Sequence, residues 1–145
     1  LTISTFGGNP VSMAAARATV EVIDAEDVVM RSERLGAVLR NGLEELQARY
    51  PSSIGDVRGM GLMQAIEIVI DEQADNREPD NALVGRVFEA AKERGLLLGK
   101  GGMFGNVFRI APPMLISQSE LEEGLKILKH TPLEFFNLQS SNPEI

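Results

Sequence analysis

At 145 residues with 43% hydrophobic content, the chain is long enough for one compact domain with its own core. A net charge of -7 and an isoelectric point near 4.8 speak against nucleic acid or an anionic membrane as the main partner. No apolar run approaches the ~18 residues of a membrane span, cysteine is absent, and His130 is the one histidine. A disulfide framework, a thiolate metal site and a zinc centre are thereby excluded; a carboxylate-only magnesium or calcium site stays open.

The chain opens on Leu1-Thr2-Ile3-Ser4, a short β-prone stretch without an initiator methionine. It reads as the cut edge of a longer polypeptide or, alternatively, as a processed chain. Asn9-Pro10 pairs an N-cap residue with proline at the first helical position, and an alanine-rich helix is expected over 13–23. Residues 24–27 are an acidic break. From 28 to 50, Leu35, Leu39, Leu43, Leu46 and Tyr50 recur at three- and four-residue spacing, which predicts a long amphipathic helix ended by Pro51.

Strands are expected over 54–57 and 62–70, separated by a turn or bulge at 58–61. Residues 71–80 are polar and should form an exposed loop. A second amphipathic helix is predicted over 81–94, capped by Gly95. A short strand at 96–98, a glycine-rich loop at 100–106 and a strand at 107–111 follow. Ser117 with Glu120 three residues later forms a capping box for a last helix to His130. The tail from Thr131 is rich in Ser, Asn, Pro and Gln and is expected to be disordered at its end. Helices over one face of a small, largely antiparallel sheet make the expected class α+β.

Two places carry candidate chemistry. Thr5, beside Gly7 and Gly8 and ahead of a helix start, can donate a hydroxyl to a phosphate oxygen, although an ordinary turn hydroxyl explains it equally. Arg109 sits in an extended stretch among small and apolar residues. Its planar fork suits a carboxylate bidentately, and the alternative is a structural ion pair with a protein carboxylate. Lys100 is not expected to act as a Schiff-base lysine, because no apolar pocket is evident to lower its pKa. Gly101-Gly102 and Gly105-Asn106 lack the strand–loop–helix setting of a phosphate loop and are expected to form a flexible loop at the mouth of a site. Arg58 reads as a hinge residue or a carboxylate partner; Gln64 and Glu67 face either a groove, a dimer partner or a solvent-exposed edge.

Four stretches, in this order and spacing, resemble the class III aminotransferases, the group of 4-aminobutyrate, ornithine, acetylornithine and alanine–glyoxylate enzymes. They are Ser4-Thr5-Phe6-Gly7-Gly8-Asn9-Pro10; Gly55-Asp56-Val57-Arg58-Gly59-Met60-Gly61-Leu62; Gly95-Leu96-Leu97-Leu98 leading to Gly101-Gly102; and Arg109-Ile110-Ala111-Pro112-Pro113. The resemblance covers about residues 1–130. It implies fold type I, with 1–23 as the end of a large cofactor domain and its linking helix, 24–130 as the small C-terminal domain and 131–145 as a tail.

By the same resemblance the cofactor is pyridoxal 5'-phosphate, and the catalytic lysine lies upstream of this chain. Thr5, Phe6 and Gly7 would contact the cofactor phosphate of the neighbouring subunit in a homodimer, and Arg109 would hold the substrate α-carboxylate. The implied reaction moves an amino group between an amino acid, an ω-amino acid or alanine, and a keto acid, in the cytoplasm or, in a eukaryote, the mitochondrion. The fragment alone would be inactive. The competing reading is a free-standing, non-catalytic small domain that binds a ligand or partner.

Overall fold

The computed structural model describes residues 4–5, 7–70 and 78–131. Phe6, the 71–77 part of the expected loop and the tail beyond Thr131 lie outside the described residues.

The helices follow from the caps and periodicities of the sequence. α1 (Pro10–Ala25) starts where Asn9 Oδ1 accepts the amides of Val11 and Ser12, at 3.0 and 3.3 Å, with Pro10 at its first position. α2 (Val28–Arg49) buries Leu35, Leu39, Leu43 and Leu46 along one stripe. α3 (Asn81–Glu93) ends in the Gly95 cap, at φ +87°. α4 (Gln118–His130) carries the full capping box, with the Ser117 side chain and the Glu120 amide and carboxylate bonded reciprocally.

The strands depart from expectation in several places, β2 among them, which is shorter than the expected 62–70. β1 (Ile54–Met60) runs straight through Arg58-Gly59, so the turn before β2 (Met63–Ile68) is only Gly61-Leu62. Leu96 to Leu98 form no strand; the pairing residues are β3 (Gly99–Gly101), inside the stretch expected to be a loop. β4 (Val107–Ile110) lies where a strand was expected, one residue shorter. Asp80 is also not exposed: it is buried and caps α3 through the Leu83 amide at 2.8 Å.

All pairings are antiparallel and the order is β1-β2-β4-β3, which confirms the α+β class. Alternation sends Val57, Gln64, Ile66, Ile68, Phe108 and Ile110 to one face. There Ile66, Ile68 and the fully buried Phe108 join the leucines of α2, Leu83, Val84 and Val87 of α3, and Leu121, Leu125 and Leu128 of α4 in one cluster. Gln64, in the central β2, does not face solvent: it is buried, bonds the Gly61 carbonyl at 2.8 Å and accepts from Arg40 at 3.4 Å. α2 meets the β1–β2 turn backbone to backbone, since a Cβ on Gly36 would lie 2.3 Å from the Gly61 carbonyl carbon.

The other sheet face carries Asp56, Arg58, Ala65, Glu67, Val107 and Arg109. α1 touches α2 at its C-terminal end, where Ile23 is half-buried, but none of its residues is fully buried. It joins α2 through Asp27, a non-glycine residue at φ +46°. Among the described residues no helix is long and apolar enough to cross a membrane.

Candidate active site

Arg109 lies in the middle of β4 on the open face of the sheet. Register places Ala65 on one side of it and Gly99 on the other. Both neighbours are small, and at Gly99 this is required: a Cβ there would stand 3.0 Å from the Arg109 carbonyl oxygen and 3.8 Å from Nε. The guanidinium therefore has room on both flanks. It borders a cleft of about 480 Å³ walled by residues 96–99 and 110–113. Pro113 closes a turn there by accepting the Ile116 amide at 2.9 Å. Arg31 of α2 anchors the following segment, donating to the carbonyls of Leu115 and Ile116 at 3.1 and 2.8 Å.

Arg109 is exposed, and among the described residues it makes no hydrogen bond or ion pair. The structural ion pair that was its alternative explanation is thus absent from the described residues. Arg58 is the opposite case. Its Nη1 meets Asp56 at 2.7 Å and Glu67 at 2.6 Å. The hydrogen bonds to Asp56 first and Glu67 second raise its pKa further, so it is a permanent cation. Of its two expected roles, carboxylate partner is the one it plays.

Glu67, half-buried on the central strand, is occupied on both oxygens, by Arg58 and by Asn106 Nδ2 at 3.4 Å. Asn106 is itself buried, and its side chain and backbone both bond Ile68, at 3.0 and 2.8 Å. The expected flexible loop is therefore the tip of the β3–β4 hairpin, pinned at its C-terminal end. The apolar pair Met103 and Phe104 projects from it, 93% and 62% exposed. Lys100 lies over the Phe88 ring at 4.2 Å rather than in an apolar pocket.

Thr5 is exposed and free of hydrogen bonds among the described residues. Gly7 belongs to the same turn, and its amide is already donated to Ser4 Oγ at 3.0 Å. The first amides of α1 are likewise taken by Asn9. Among the described residues the Thr5 hydroxyl is left open while the Gly7 amide and the first amides of α1 are taken, so the turn fits such a group at that point and not as a whole helix terminus. Among the described residues no hydrogen bond joins Thr5 to Arg109, and Thr5 does not line the cleft beside Arg109. Asp56, Glu67 and Asn106 were not picked out by the sequence as a connected group, because their connection depends on cross-strand register.

The family model for aminotransferase class-III matches residues 2–131. The chain belongs to that family. Class-III aminotransferases are pyridoxal-phosphate enzymes, and the relatives agree with the assignment. The chain is 41% identical over 125 residues to the 5-aminovalerate aminotransferase of Pseudomonas putida, covering 86% of itself and 28% of that protein. Its fold matches the solved acetylornithine aminotransferase of Elizabethkingia anophelis with TM-score 0.78 and 38% identity, over 93% of this chain and 31% of that one. It matches an amine transaminase of an uncultivated Pseudomonas species, solved in its PLP-bound form, with TM-score 0.75 and 29% identity, over 90% and 29%. The chain thus spans under a third of the length of each of these class-III relatives.

Proposed function

We propose that this chain forms the C-terminal portion of a pyridoxal-phosphate-dependent aminotransferase and contributes its carboxylate clamp, Arg109. The observation that carries the reading is a guanidinium left exposed and, among the described residues, unpaired between Ala65 and Gly99, at a cleft lined in part by Pro112-Pro113. A planar fork in that state accepts a carboxylate through two parallel hydrogen bonds without first breaking an internal pair. Held there, the acid is fixed in direction. The cofactor, when bound, acts as the electron sink for the amino-acid carbon. The Thr5 hydroxyl donates to the phosphate of the partner subunit of a homodimer, with Phe6 and Gly7 beside it.

On this reading residues 1–23 close the large domain, 24–130 form the small domain, and the substrates are an amino acid, an ω-amino acid or alanine, and a keto acid. The free-standing alternative is disfavoured by α1, sixteen residues long with none buried. The isolated chain is expected to show no transaminase activity.

The test is made in a polypeptide that joins this chain to a large domain bearing the catalytic lysine. Arg109→Lys keeps the charge but loses the fork, and should raise KM for amino and keto substrates at least about tenfold, the scale of one charge-assisted hydrogen bond. Unchanged KM values for both substrates would remove Arg109 from the clamp.

A further inference from the structure

On the open sheet face, Ala65 of β2 is the register partner of Arg58 on one side and of Arg109 on the other. Glu67 is two residues further along β2, paired with Asp56 on one side and Val107 on the other. Glu67 therefore stands in the same diagonal relation to both arginines. In each case either residue lies two positions C-terminal to the one that faces the other directly. Diagonal neighbours of this kind are ~7–8 Å apart and within reach of long side chains. On the Arg58 side that reach is realised, at 2.6 Å. On the Arg109 side it is not, although Arg109 has no other partner among the described residues.

We infer that Arg58 is a positioning residue that keeps Arg109 available, by holding the one carboxylate among the described residues of this face that is able to neutralise it. Asp56 cannot play the competitor, since it sits on β1, a strand further from β4. It contributes instead by binding the same Arg58 Nη1 at 2.7 Å, fixing the guanidinium where it meets Glu67. Asn106 holds the second Glu67 oxygen, so the carboxylate is tied at both ends. The cleft beside Arg109 brings no carboxylate of its own: residues 96–99 and 110–113 are leucine, glycine, isoleucine, alanine and proline. If Arg58 were removed, Glu67 would lose its cation, and the nearest replacement is Arg109. An internal carboxylate would then compete with any external one for the same fork.

The functional meaning of this arrangement rests on Arg109 being a carboxylate site, but the arrangement itself can be tested apart from that. Phenylglyoxal condenses with free guanidinium groups, and peptide mass analysis of the 145-residue chain gives the rate at each arginine. Arg109 should react faster than Arg58 in the parent chain. In Arg58→Met the Arg109 rate should fall about two- to five-fold, the strength of a half-exposed ion pair. Adding Glu67→Gln to that variant should restore the parent rate, and Arg58→Lys, which keeps a cation for Glu67, should leave it near the parent value. A merely structural role for Arg58 would not be rescued by neutralising Glu67.

Should Arg58→Met not fold by circular dichroism, Arg58→Gln serves in its place. An Arg109 rate unchanged in the Met or Gln variant, or not restored by Glu67→Gln, overturns the inference. Glutarate added to the parent chain forms a separate arm. Protection of Arg109 supports the carboxylate site; no protection, with the variant pattern intact, removes that reading while leaving Arg58 as the residue that keeps Arg109 unpaired.

Discussion

α1 and the helices that follow it solve opposite problems. α2, α3 and α4 close one face of the sheet around Phe108 and a continuous set of leucines. α1 has a good N-cap, a proline start and an internal Arg17–Glu21 pair at 2.7 Å, yet none of its residues is fully buried. Val11 is 78% exposed and Val20 55%. Capping and propensity are enough to write a helix into a sequence, but a core is needed to hold it. The difference teaches that a helix can take its form from local signals alone while its apolar side chains stay outside the core cluster.

The contrast breaks most visibly in the packed unit. Phe108→Ala empties the centre of the cluster and should cost about 3–5 kcal/mol, read as a lower denaturation midpoint. Gly36→Ala tests the backbone contact of α2 with the β1–β2 turn. Neither Gly61 nor the helix can retreat without moving the core, so a loss of about 2–3 kcal/mol is expected. A cost below about 0.5 kcal/mol would mean that α2 shifts freely against the sheet.

A smaller effect is expected at the start of α4. Ser117→Ala removes the side chain that accepts the Glu120 amide, and should cost about 1 kcal/mol. The same box has a pH signature. Its hydrogen bonds from the Ser117 side chain, then from the Ser117 backbone, lower the Glu120 pKa in the folded state. A lowered folded pKa means that the stabilisation is present above the unfolded value and is lost as pH falls through the folded one. In Glu120→Gln that acid-side slope should shrink in a urea titration. An identical slope would mean that the box does not persist in solution.

The helices were legible because their signals are local: leucines three and four apart, Asn9-Pro10, and Ser117 with Glu120. The strands were less so. Arg58-Gly59 looks like a turn by composition, but β2 pairs with it residue for residue. Leu96 to Leu98 have strand character and no partner, while Gly99–Gly101, with little strand propensity, pair because β4 lies beside them. At the site, Arg109 stood out as a cation among apolar residues. The tie of Glu67 to Arg58 spans nine residues and exists only in one register, so composition could not announce it. Nor could it announce that Asn106, at the end of the loop, is a buried strut.

The smallest effect bears most directly on the comparison. Val11→Ser and Val20→Ser lie on α1, where serine and valine have similar helix propensity and no buried contact is at stake. Each should leave the unfolding free energy of the chain within about 0.5 kcal/mol, against the several lost at Phe108. The same substitutions remove apolar area from an exposed face, so sedimentation at high concentration should show less self-association than in the parent chain. Destabilisation on the scale of the core variants would mean that α1 folds back onto its own domain in solution, and the reading of α1 as a surface for another body would fall. A null effect on stability with reduced self-association separates the two regions cleanly. One then carries the fold of this chain, and the other carries apolar surface meant for contact beyond it.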